Sequence, residues 1–127
     1  MFGNPFAERM ALEATYEDTA TVTRDVAVNG ANNFAKVEPT VIYSGIICAL
    51  SKVSDNSTQT DAQQEIRRDM TLFVSPDKVI QAGDTVEVTR FGRTLPSSEY
   101  KHTFEVVGVP VRYMTHVEVA VKDVSIS

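Results

Sequence analysis

Two side chains in this sequence stand at a spacing that chemistry can use. His116 and Glu118 are two residues apart, so on a β-strand both project from one face. An imidazole and a carboxylate placed that way can share a proton or offer two ligands to a metal ion. A zinc site needs a third or fourth ligand, and the only other histidine is His102. The arrangement therefore reads as a solvent-facing His–Glu pair. Cys48 is the single cysteine, which excludes a disulfide within the chain and fits a reducing compartment. It sits in the most apolar run of the sequence, which marks it as a buried small hydrophobe rather than a nucleophile. No histidine neighbours it in sequence, and only the fold could bring His102 or His116 close. A glycine-rich phosphate loop, HExxH, CxxC and a nucleophile elbow are all missing from the sequence. Paired carboxylates for acid–base work would need a cleft, which spacing alone does not disclose. The expectation is a protein that is not an enzyme and takes no metal or cofactor.

The elements that would position these residues are mostly strands. A chain of 127 residues reads as one domain, 1–127, long enough to bury a core without a disulfide or metal. Its net charge of −5 argues against nucleic-acid binding by counterion release, which needs basic patches. No run approaches the roughly 20 apolar residues of a membrane span. The opening Met1-Phe2-Gly3-Asn4-Pro5-Phe6 lacks the basic and apolar regions of a secretory signal. The expectation is a protein used inside a cell, or exported by another route.

In chain order, residues 1–16 read as an N-terminal arm with a short helix from Phe6 to Tyr16. Asn4 is its candidate cap and Pro5 its first-turn proline. Its apolar stripe is thin: Phe6, Met10, and Glu13 or Ala14. A first strand is predicted from Tyr16 to Val28, where Arg24 breaks the apolar face and marks a bulge or an edge. Asn29-Gly30-Ala31-Asn32-Asn33 is a hairpin turn. Val41 to Leu50 is apolar on both sides, as in a central strand or one covered on both faces, and Gly45 within it predicts a bend. The stretch Ser51-Lys52-Val53-Ser54-Asp55-Asn56-Ser57-Thr58-Gln59-Thr60-Asp61-Ala62-Gln63-Gln64-Glu65 is polar enough to read as a long mobile loop. Another strand runs from Ile66 to Val74, and Ser75-Pro76-Asp77-Lys78 is a turn. A meander follows from Val79 to Val121, opening at the turn Ala82-Gly83-Asp84, with valines at every second position. The fold class is mainly β: a small antiparallel barrel or sandwich with one short helix and one long polar loop.

Five stretches recur in a telling order: Thr21-Val22-Thr23-Arg24-Asp25; Cys48-Ala49-Leu50 at a strand end; the polar run 51–65; Ile80-Gln81-Ala82-Gly83-Asp84; and Gly108-Val109-Pro110 before Tyr113-Met114-Thr115-His116-Val117-Glu118. Together they resemble the head-completion or stopper proteins in the neck of long-tailed bacteriophages. The resemblance covers most of the chain through short, degenerate motifs. It implies a small β-barrel that assembles with itself into a dodecameric or hexameric ring on the axial DNA channel. Such a ring closes the filled head, retains DNA and offers a docking face to the tail. The implied location is the virion neck, after assembly in the host cytoplasm. The implied partners are portal-adaptor and tail proteins, with DNA passing through unread and no membrane involved. By position in the chain, 51–65 would be the channel-gating loop. Arg24, Arg67 and Arg93 would be candidate ring contacts, beside the N-terminal helix and the terminal strand. The alternatives are a tail-completion or terminator ring, or a small non-viral OB- or SH3-like binding module.

Overall fold

The computed structural model describes residues 5–29, 35–52, 69–97 and 99–124. They form α1 (Pro5–Glu13), β1 (Asp18–Asn29), β2 (Ala35–Lys52), β3 (Asp69–Val74), β4 (Thr85–Thr89), β5 (Lys101–Val106), β6 (Val111–Arg112) and β7 (Val117–Asp123). Going round the sheet, β3, β2, β1, β4, β5 and β7 are neighbours in that order, and β3 also pairs with β7. That last pairing joins the two edges, so six antiparallel strands close into a barrel. The choice between barrel and sandwich is settled by the ladder Asp69↔Lys122 to Val74↔Val117. The short β6 pairs with β7 alone, at Val111↔Glu118 and Arg112↔Val117.

Valine alternation dictates the interior. Val22 pairs with Val86, Val86 with Phe104, Val106 with Val121, Leu72 with Val119 and Cys48 with Val74. Partners in an antiparallel ladder share a face, so these pairs stack into one apolar ring. Ile80 joins them from the loop before β4, and the whole set is buried. Thr85, Glu87, Ala120 and Glu105 occupy the alternate, outward positions.

Gly45 is where β2 bends. β2 has one residue more than β1 between the pairs Ala20↔Ile46 and Val22↔Tyr43, and Gly45 takes φ +70°. This bulge turns the strand round the barrel. The turn before β4 uses Gly83 at φ +93°, with Asp84 N–H donating to Gln81 O. The apolar run of β2 is covered on its inner side only. On the outside Val41 is exposed; Tyr43 pairs with the buried Val22 and packs against the core, with Lys78 at 5.5 Å from its ring. Of the two expectations for this run, the central position holds, with β2 between β1 and β3; closing the sheet on itself leaves each strand one interior face, and Val41 on the other side stays exposed. The helix stops at Glu13, earlier than predicted. The Thr15 N–H and hydroxyl both donate to Leu12 O, and Tyr16 leaves the helix to bury its ring.

Candidate functional site

The His–Glu pair is built into a corner of the barrel. Tyr113 N–H donates to His116 O at 2.7 Å, folding the segment before β7 back on itself. The Tyr113 ring stacks on the imidazole, with centroids 4.8 Å apart and planes at 21°. Phe73, opposite Glu118 in the β3–β7 ladder, lies 5.6 Å from the same imidazole. Nε2 meets Glu118 Oε2 at 3.0 Å, and Nδ1 meets Thr115 Oγ1 at 3.0 Å. Both ring nitrogens therefore have partners, which locks the ring. The corner can pass a proton between His116 and Glu118. Among the described residues no third histidine, cysteine, aspartate or glutamate completes a metal site with them. His102 lies on β5 beside Phe104 and has no part in this corner. Cys48 is fully buried. Burial, and then Asp18 nearby, push its thiol far up, so it stays protonated and unreactive.

Two buried carboxylates brace the barrel; the sequence marks Asp84 only as part of a turn and gives Asp18 no role. Asp84 takes a bidentate bond from Arg24, Nε to Oδ1 at 2.8 Å and Nη2 to Oδ2 at 2.9 Å, and a third from Gln81 N–H at 2.9 Å. Arg24 Nη2 also donates to Val79 O. The hydrogen bond to Asp84 raises the Arg24 guanidinium above its ordinary range. Asp18 Oδ1 accepts from Phe91 N–H at 2.8 Å. Arg90 Nε stands 3.1 Å from Asp18 Oδ2 as an ion pair, too poorly aligned for a hydrogen bond. The bond to Asp18 holds Phe91 at φ 61°, a strained conformation for a bulky residue. Next to it, a Cβ on Gly92 would collide with Thr19 Oγ1, so this loop has to approach β1 with bare backbone.

Of the arginines singled out in the sequence, Arg24 is the brace just described. Arg93 ties the helix: its Nη1 donates to Glu13 O at 2.7 Å and to Tyr16 O at 2.9 Å, capping the C-terminal carbonyls of α1 with a cation. Arg67 lies outside the described residues, as do 53–65 of the candidate loop; Ser51 and Lys52 are the last residues of β2. Arg24 and Arg93 serve separate partners, Asp84 and the end of α1. A glycine–aspartate turn reads as local structure, and the register that sets Asp84 opposite Arg24, sixty residues away, is not visible in any sequence window.

What projects from the barrel is clearer than any cleft. β1 pairs with β4 only through Thr19 to Thr23, and β2 pairs with β3 only from Cys48 onward. Beyond Arg24 the two strands continue as a ribbon with no other strand partner among the described residues, from Arg24↔Thr40 to Asn29↔Ala35. Six residues of strand reach about 20 Å. One face carries Val26 and Val28 against Glu38 and Lys36, and the other carries Ala27 against the exposed Val37. Arg24 sits at the root of this arm. The chain matches no family model, and neither curated proteins nor solved structures show a match to it.

Proposed function

We propose that this chain is a structural protein of the phage neck, a ring-forming head-completion protein that closes the DNA-filled head and joins it to the tail. The observation that carries the reading is the two-stranded arm continuing past the barrel between Arg24↔Thr40 and Asn29↔Ala35. An isolated two-stranded ribbon is marginal in water, and this one shows exposed Val37. A subunit built to be covered by neighbours explains such an arm. The barrel interior is filled by the core side chains, which suits a scaffold better than a small-molecule receptor. The net charge of −5 suits a channel wall that DNA slides past. The β2–β3 connection, which contains 53–65, leaves the barrel beside Lys52↔Met70 and is the candidate gate.

The test is electron microscopy of lysates from a phage or induced prophage with this gene disrupted. Free tails beside heads that have lost their DNA are the expected result. Filled heads beside overlong tails would move the protein to tail completion. Normal infectious particles would overturn the neck reading.

A further inference from the structure

The helix α1 is docked the wrong way round for a free-standing protein. Surface helices normally turn an apolar stripe to the core and a charged face to water. Here the half-buried positions are Arg9, Leu12 and Glu13, while Phe6, Ala7, Met10, Ala11 and Ala14 are all exposed. The exposed set follows the spacing i, i+1, i+4, i+5, i+8, which is one continuous face. Phe6 is 66% exposed and Met10 56%. The orientation is held from beneath. Arg9 pairs with Glu13 at 2.7 Å and reaches Asp77 at 3.3 Å, and Arg93 grips the carbonyls at the helix end.

A second exposed apolar surface lies on the same chain. From Val109 to Met114 the backbone passes through β6, whose only strand partner among the described residues is β7. Val109 is 86% exposed and Met114 74%, and Val111 and Tyr113 are also exposed. Each surface has one charge without an ionic partner among the described residues, and the two charges are opposite. Glu8 lies on α1 beside the stripe, and no cation of the described residues is paired with it. The Arg112 guanidinium meets only Lys78 O, at 3.4 Å.

We propose that the α1 stripe is the docking face for a second copy of this chain, seated on the neighbour's Val109–Met114 segment, with Glu8 facing Arg112 of that neighbour. Pairing helix on helix would oppose two Glu8 carboxylates to no available cation, because Arg9 is already held by Glu13 and Asp77. Contact between two different patches repeats from copy to copy and generates a ring or a filament rather than a closed dimer. The inference rests on the ring-forming reading above and names the surfaces that would make the ring.

Two variants test it, Phe6→Glu/Met10→Glu and Val111→Glu/Met114→Glu, with folding checked by circular dichroism. By native mass spectrometry each alone is expected to stay monomeric under conditions where the wild type assembles. Their equimolar mixture is expected to give a heterodimer, because one intact stripe meets one intact segment. If either variant fails to fold, Met10→Cys and Met114→Cys replace them. Oxidation should cross-link the mixture of these two and neither alone, Cys48 being buried. A Val111→Glu/Met114→Glu variant that dimerises by itself would overturn the proposal in favour of helix pairing. So would a mixture that stays monomeric, or a wild type that remains monomeric at about millimolar concentration. Emptied heads in the gene-disrupted phage together with a monomeric mixture would sink this contact and leave the neck role standing. Cross-linking with normal particles would do the reverse.

Discussion

Replacing Arg24 with methionine separates an internal brace from a surface contact. Asp84 is 1% exposed, and the Arg24 side chain 23%. Two of the three bonds to the carboxylate come from this guanidinium. Methionine keeps the aliphatic stem and strands a buried charge with only the Gln81 N–H. Breaking a buried pair by removing one partner costs roughly 3–5 kcal/mol. Arg24 is partly solvated, so the lower end, about 3 kcal/mol, is expected. That is a large part of the 5–15 kcal/mol typical of a folded domain, and it corresponds to a melting temperature about 10 °C lower. Urea unfolding of the monomer measures it, with Asp84→Asn and the double variant completing a cycle. Coupling of at least about 1 kcal/mol is expected between side chains in direct contact. Hydrogen exchange at 25–29 should also rise, because the brace stands at the root of the arm. An Arg24→Met monomer as stable as the wild type, or single costs that simply add, would refute the reasoning and return Arg24 to the surface as a contact residue.

Two further outcomes follow from the same structure. Burial, with Glu13 and Cys48 nearby, raises the Tyr16 phenol from 10.0 to about 12, and its hydroxyl bonds to no described group. The native state then keeps this proton after the unfolded chain has lost it. The associated stability is complete below pH 10 and is lost as pH climbs through 12, by up to about 1.4 kcal/mol per pH unit. Tyr16→Phe should flatten that alkaline loss while costing under about 0.5 kcal/mol at neutral pH, read from urea midpoints across pH 8–12; an unchanged slope counts against the assignment. Arg93→Ala should free α1 from the barrel, speeding proteolysis within Pro5–Glu13 while lowering overall stability by only about 1 kcal/mol. Equal protection of the helix in variant and wild type would show that Arg93 is not its anchor.

The pairing of His116 with Glu118 was legible in advance because i, i+2 spacing in extended chain is local geometry, but the expected solvent-facing imidazole is largely covered, its side chain 18% exposed. The bend at Gly45 and the turn at Gly83 were legible for the same reason: only certain residues adopt those backbone angles cheaply. Phe73 and Tyr113 around the imidazole were not, since a ladder between β3 and β7 and the fold-back before β7 bring them there. The α1 stripe was half legible. Phe6 and Met10 stand out in the sequence, but that they face outward depends on where Arg93 and Asp77 come to lie.

By itself the sequence determined that this protein would be mainly β, with valines directed to one core. Side-chain alternation along a strand is a property of the backbone that no partner alters. Only the tertiary structure decided that the sheet closes into a barrel, that Asp84 answers Arg24, and that the two hairpin strands outrun their neighbours. Each of these depends on the register between strands far apart in the chain. Register is set by the packing of all the strands together, so no local window of residues contains it.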